Sequence, residues 1–222
     1  QLLPAGAAVH LLTRQLRPGL PAGVVPHLWD PLREAAPVDS LAGSEALVHL
    51  MGEPVAQRWS PEIKRRIRES RTVSTRNLVS AIEMAEPRPQ TLICASAVGY
   101  YGSRGDEWLD EESSPGSDFL AEVCQEWEAE ALRAADLGVR VLRLRFGVVL
   151  GAEGGALARM LPLFRIGLGG RLGDGSQWMS WIHASDLVGM MLFALRYPHI
   201  RGVWNAVAPN PVTNAEFTGT LA

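Results

Sequence analysis

An α/β fold, a parallel sheet with helices on both faces, is what this 222-residue sequence predicts, and three observations predict it. Four apolar runs rich in β-branched residues end at or near Gly, Ser or Arg; helical patterns alternate with them; and 47% hydrophobic content can fill a sizeable core. Strands that alternate with helices are joined by crossovers, and crossovers make parallel sheets.

The strand-like runs are "AVHLLTR" (8–14), "EALVHLMGE" (45–53), "QTLICASAVG" (90–99) and "VRVLRLRFGVVLG" (139–151). Their near-continuous apolar character is that of strands buried on both faces. A helix is predicted over 60–85, with Ser60 as N-cap, Pro61 at the first helical position, and Ile63, Ile67, Leu78, Val79 and Ile82 at helical spacing. A second is predicted over 117–138, where Gly138 stops it. Right-handed crossovers open the loops after the strands on one edge, where ligands bind. That edge comprises Thr13 and Arg14, Leu50 to Gly52, Ser96 to Gly102, and Gly147 to Gly151. After 151 the chain turns Gly-rich, with a tryptophan-bearing strand and two helical stretches. The expected organisation is a main domain over 1–150 and a smaller substrate-side lobe over 151–222, interleaved with it.

A formal charge of −3 gives no electrostatic footprint for nucleic acid or an anionic membrane, and the basic run "EIKRRIRESR" reads as a solvated helix face. No stretch approaches the roughly 20 apolar residues that span a bilayer. With no signal peptide at the start, the cytoplasm is the expected compartment. Cys94 and Cys124 form no C-x-x-C and have no His cluster nearby, so neither a disulfide framework nor a metal site is expected.

The ordered series "LLTR", "HLMGE", "SAVGYYG", "FLAEVCQEWE", "RFGVVLG", "GDGSQWMSWIHASDL" and "WNAVAPNPVTNAEF" resembles the extended short-chain dehydrogenase/reductases. Within them it is similar to the atypical epimerase-like branch, the nucleoside-diphosphate-sugar epimerase-like members of the NAD-dependent epimerase/dehydratases. The resemblance covers essentially the whole chain and implies a Rossmann-type doubly wound sheet with a bound nicotinamide dinucleotide. In that family a first strand and a G-x-x-G-x-x-G turn precede the segment "QLLPAGAAVHLLTR"; neither is in this sequence. The expectation is that the natural protein continues beyond both ends.

On this resemblance the cofactor-side positions are Thr13, Arg14, Leu50, Met51, Gly52, Arg71, Ser96 and Val149. Arg14 ends the strand that carries the ribose-recognising residue. An acid there favours NAD, whereas Arg accommodates a 2′-phosphate, and "LTR" followed by Arg17 contains no acid, so NADP is the expected cofactor. Arg71 reads equally as a cofactor contact or a surface-helix residue. Ser96 and Tyr101 are the candidate catalytic residues, Ser96 sitting where the family keeps the Ser of its catalytic set; Tyr100 is the alternative phenol to Tyr101, and either reads equally as a ring packed over the cofactor or the lobe.

That set also needs Tyr-x-x-x-Lys on the next helix, where i and i+4 share a face. Here those positions hold Leu120 and Cys124. Met179 stands where nucleotide-sugar enzymes carry a diphosphate-binding Arg. His183 and Asp186 read as structural, with Ser185 or Asp186 capping a helix and His183 a satisfied core residue. Ser96, His183 and Asp186 lack the G-x-S-x-G elbow and the chain order of an α/β-hydrolase. "GAEGGALARM" lacks the Lys of a P-loop, though a Gly-rich helix entry can still receive an anion. The sequence therefore predicts an NADP-binding oxidoreductase for a small carbonyl or hydroxyl compound, with no nucleic-acid or membrane partner. A catalytically silent NADPH-binding module and a nucleotide-sugar epimerase stand as alternatives.

Overall fold

A computed structural model describes residues 2–16, 18–152 and 154–222. Two compact units interleave along the chain: one runs up to Leu92 and adds Glu126–Val141, and the other comprises Ile93–Gln125 and Leu142–Ala222. The expected boundary at 150 falls inside the second unit, which contains all of 151–222.

In the first unit β1 (Val9–Thr13) and β2 (Val24–Leu28) pair parallel, from Val9↔Val24 to Thr13↔Leu28, as a two-stranded sheet of their own. The sequence reading had no β2, because Pro26 interrupts the run; proline removes a ladder donor and is tolerated on edge strands. β3 (Ala46–His49) follows, then α1 (Pro61–Met84). The Ser60 side chain caps α1 by accepting from Ile63 N, and Ile67, Leu78, Val79 and Ile82 form its buried stripe, as the spacing predicts. Hydroxyls buried on the same helix bond back one turn: Thr72 to Arg68 O, Ser74 to Ser70 O and Thr75 to Arg71 O.

β4 (Thr91–Ala97) is buried along six of its seven residues. α2 (Phe119–Asp136) starts where Asp118 Oδ1 accepts from Leu120 N and Ala121 N, and β5 (Arg140–Phe146) follows the turn at Gly138. The main sheet has the order β3-β4-β5-β9.

The run 139–151, expected as one strand, is two. β5 pairs with β9 (Gly202–Ala206), whereas β6 (Val148–Gly151) pairs with β8 (Trp181–His183). Gly147 is the changeover. Its N–H donates to Ala206 O, the next N–H donates to Ser180 O, and a Cβ at 147 would lie 2.6 Å from Ser180 O. Only glycine admits so close a backbone approach.

The rest of the second unit comprises α3 (Gly155–Arg165), β7 (Trp178–Met179), α4 (Ala184–Arg196), β10 (Val212–Thr213), antiparallel to β7, and α5 (Asn214–Leu221). Its core packs Ile93, Leu142, Leu144 and Ala206 with Ile182, Leu187, Met191 and Ala194. Both cysteines are buried, and neither forms a disulfide among the described residues. Among the described residues no helix is long and apolar enough to cross a membrane, and no group of three or more His, Cys, Asp or Glu could hold a metal ion.

Candidate functional site

In the first unit Thr13 and Arg14 stand at the end of β1. The Thr13 hydroxyl donates to Gln15 O and accepts from Gln15 N, closing a tight turn that presents Arg14. Arg14 is exposed and, among the described residues, forms no ion pair or hydrogen bond; no carboxylate lies in 9–16. Arg17 lies outside the described residues. A solvated guanidinium with open donors suits a phosphate dianion.

The loop after β3 carries exposed Leu50 and Gly52 and half-buried Met51. Arg71 lies against it. A Cβ on Gly52 would come within 2.9 Å of the Arg71 guanidinium, whose Nη1 donates to Glu53 O (3.1 Å) and Ile67 O (3.0 Å). Ser70 Oγ accepts from Glu53 N, and the guanidinium sits 5.2 Å from the Trp127 ring centre. Arg71 thus fastens the loop to α1, a third role beside the two the sequence allowed. Behind it, Thr75 Oγ1 donates to Arg71 O (2.6 Å) and so accepts from His49 Nε2–H (2.9 Å). Burial pulls His49 down to about 4, so the ring is neutral.

In the second unit Ser96 is buried near the end of β4, and a single helical turn, Val98–Tyr101, follows. The expected acid/base role of Tyr101 is corrected by its surroundings. Its phenol donates to Asn205 Oδ1 (2.7 Å), accepts from Arg145 Nη1 (2.9 Å), and is buried. Burial pushes its pKa up, against the downward pull of the Arg145 hydrogen bond and charge. A phenol with both functions occupied ties structure together.

Arg145, on β5, is buried and also sits over Tyr100, 3.4 Å from the ring centre. Asn205 N on β9 donates to Glu111 Oε1 (2.6 Å), and Arg145 Nη1 reaches Glu111 O at 3.4 Å. One cation thereby joins β5, β9, the turn after β4 and the acidic loop. Sequence reasoning missed Arg145, Asn205 and Glu111. The available signal was "RVLRLRF", a strand whose apolar run carries arginines that burial forces to find partners.

On α2, Leu120 Cβ lies 3.8 Å from where a Cβ on Gly99 would be, beside the turn after β4. Cys124 is buried one helical turn further. Val149 is half-buried on β6 opposite Ile182. Met179 pairs with Val212 and accepts a weak bond from Asn214 Nδ2. His183 departs from expectation: it is exposed and is itself the N-cap of α4, its side chain accepting from Ser185 N. Ser185 and Asp186 lie inside the helix.

The family model "NAD dependent epimerase/dehydratase family" matches residues 2–206. The chain is 52% identical over 181 residues to the Arabidopsis thaliana "Epimerase family protein SDR39U1 homolog, chloroplastic", covering 81% of this chain and 52% of that one. It therefore spans about half the length of that relative. Identity is 44% over 213 residues with the Mycobacterium bovis "Epimerase family protein Mb2239", 96% of this chain and 70% of that one. The crystal structure of "human epimerase family protein SDR39U1 (isoform2) with NADPH" superposes with a TM-score of 0.83 at 36% identity, covering 99% of this chain and 72% of the human one. Fold, strand-end loops and sequence agree: this chain belongs to the NAD-dependent epimerase/dehydratase family, with the Rossmann-type α/β fold of the extended short-chain dehydrogenase/reductases.

Proposed function

We propose that the protein binds NADP(H) and works as an oxidoreductase on a small, fairly apolar carbonyl or hydroxyl compound. The observation that carries the cofactor is Arg14, exposed, free of any ion pair among the described residues and followed by no acid on its loop. Within the first unit the donor set fits the group: Arg14 and Thr13 would hold the 2′-phosphate, while Leu50, Met51 and Gly52 would line the dinucleotide. Bound there, the cofactor supplies hydride chemistry. The human relative's structure, described with NADPH, supports the same choice.

The substrate class rests on the apolar residues Trp178 and Met179 on β7 and Trp181 on β8, which offer no guanidinium to a diphosphate. Leu120 and Cys124 in place of the Tyr-x-x-x-Lys pair support the second reading, a dinucleotide-binding module without turnover. Calorimetry on the full natural chain with NADPH and NADH, beside Arg14→Asp, tests the cofactor. Tighter binding of NADPH, weakened or turned toward NADH in the variant, is expected. Failure to bind either dinucleotide overturns both readings.

A further inference from the structure

We infer that α3 and the turn behind it, both in the second unit, form a surface that docks on an anionic lipid bilayer. Over 155–173 the only polar side chains are those of Arg159, Arg165 and Arg171; every other residue is Gly, Ala, Pro or a large apolar one. The formal charge of −3 belongs to the chain as a whole, and it conceals a run that holds three arginines and no acid.

The fold leaves this run outside the core. No residue of α3 is buried. Arg159, Leu163 and Ile166 recur at i, i+4 and i+7 and, with Pro162, make one exposed stripe. The outward stripe of a helix on a globular protein is normally polar. Here Leu163 is 51% exposed and Ile166 66%, and past the helix end Leu168 and Leu172 follow at 73% and 65%. Backbone bonds hold these side chains outward. Leu168 N donates to Leu163 O and Gly167 N to Phe164 O, which turns the chain at the helix end. Leu172 N donates to Oδ1 of the buried Asn214 (2.7 Å), which anchors the far end of the turn.

Charge and apolarity together choose the occupant. Among the described residues none of the three arginines is in an ion pair or hydrogen bond, and Asp174, just past the run, meets Arg171 only through its charge. The surface offers cationic heads and hydrocarbon and, within the run, no side-chain acceptor to a protein partner. A bilayer with acidic headgroups takes both: Leu and Ile tips enter the acyl boundary while arginine stems reach back to the phosphates. At 11 residues α3 is too short to cross, so it lies in the interface plane.

Co-sedimentation of the full natural chain with vesicles of mixed phosphatidylserine and phosphatidylcholine, and with vesicles of phosphatidylcholine alone, tests the surface. Binding to the acidic vesicles should be about tenfold or more tighter than to the neutral ones, and largely lost at about 1 M salt. Replacing Arg159, Arg165 and Arg171 together by Gln should weaken it about 10²-fold, and Ile166→Gln with Leu168→Gln about tenfold or more. All five side chains are exposed, so unchanged urea midpoints separate lost docking from lost folding. Leu168→Cys labelled with acrylodan reports the same surface directly, since Cys94 and Cys124 are buried. The label should emit as in water in the free protein and shift to the blue on acidic vesicles. No binding to acidic vesicles, equal affinity for the neutral ones, or binding that survives both sets of substitutions overturns the proposal. A label already blue without vesicles also overturns it, because protein, not lipid, then covers the surface.

Discussion

The guanidinium of Arg145 sits 3.4 Å from the ring centre of Tyr100 while its Nη1 donates to the neighbouring phenol of Tyr101. Two adjacent tyrosines thus meet one buried cation in different ways, one through its face and one through its oxygen. Graded costs follow. Arg145→Ala removes the shared partner and should destabilise by about 3 kcal/mol or more. Tyr101→Phe leaves a buried Arg donor and Asn205 Oδ1 without their partner and should cost about 1–2 kcal/mol. Tyr100→Phe keeps the stacked face and should cost less than about 0.5 kcal/mol. Urea midpoints at constant slope measure all three. Equal costs for the two Tyr→Phe changes would mean that the Tyr100 hydroxyl is engaged in the folded protein.

His49 sets an acid limit on stability. Its folded pKa, lowered by burial to about 4, lies below the unfolded value of 6.5. Above pH 6.5 both states are neutral and the ring costs nothing. As pH falls from 6.5 toward 4 the unfolded chain takes up a proton that the folded protein refuses. Stability should therefore drop by up to about 1.4 kcal/mol per pH unit, about 3 kcal/mol in all, and level off below pH 4. His49→Gln keeps an N–H for Thr75 and removes the titration. The difference between wild-type and variant denaturation midpoints should shrink or invert on acidification; a parallel pair of profiles would contradict the assignment.

The sequence was most legible where one cause acted alone. Ser60, Pro61 and the Ile67–Ile82 stripe placed α1 to within a residue or two, because cap, proline and periodicity all point the same way. Legibility failed where tertiary context decides. β2 carries a proline that only an edge position permits, and Gly147 breaks an apolar run for the sake of Ser180, a residue 33 positions away. At the candidate site, the position of Arg14 at the exposed end of β1 was readable because an apolar run stops there at a charged residue. The roles of Tyr100, Tyr101 and Arg71 were not, since they depend on which partners the fold supplies, namely Arg145, Asn205 and the loop at Gly52.

Gly52 offers a test of the Arg71 contact. Its φ is not in the left-handed region, and the three atoms nearest an added methyl all belong to the guanidinium, the closest 2.9 Å away at the end of a flexible side chain. Gly52→Ala should cost about 1 kcal/mol, through partial loss of the bonds that Arg71 makes to Glu53 O. In the Arg71→Ala background the obstacle is gone, and the same change should be close to neutral. The double-mutant cycle would then show a coupling of about 1 kcal/mol. A Gly52→Ala cost that persists without Arg71 would mean that something other than the guanidinium requires glycine there.

Gly147 is the contrasting case, and the two together test whether the neighbour's ability to move decides the cost. A methyl at 147 would lie 2.6 Å from Ser180 O and 2.9 Å from Ser180 C, both backbone atoms. Ser180 O accepts the Val148 N–H, so retreat from the methyl would stretch the bond that starts the β6–β8 pairing. No rotamer relieves the clash, and the strain passes into Val148, Val149 and Ile182, the last of these in the core. Gly147→Ala should therefore destabilise by about 3 kcal/mol or more, well beyond Gly52→Ala, and hydrogen exchange should accelerate first at the β6 and β8 amides. Equal costs at the two glycines would show that β8 yields as readily as an arginine side chain, and that the changeover at 147 is held by something other than close backbone approach.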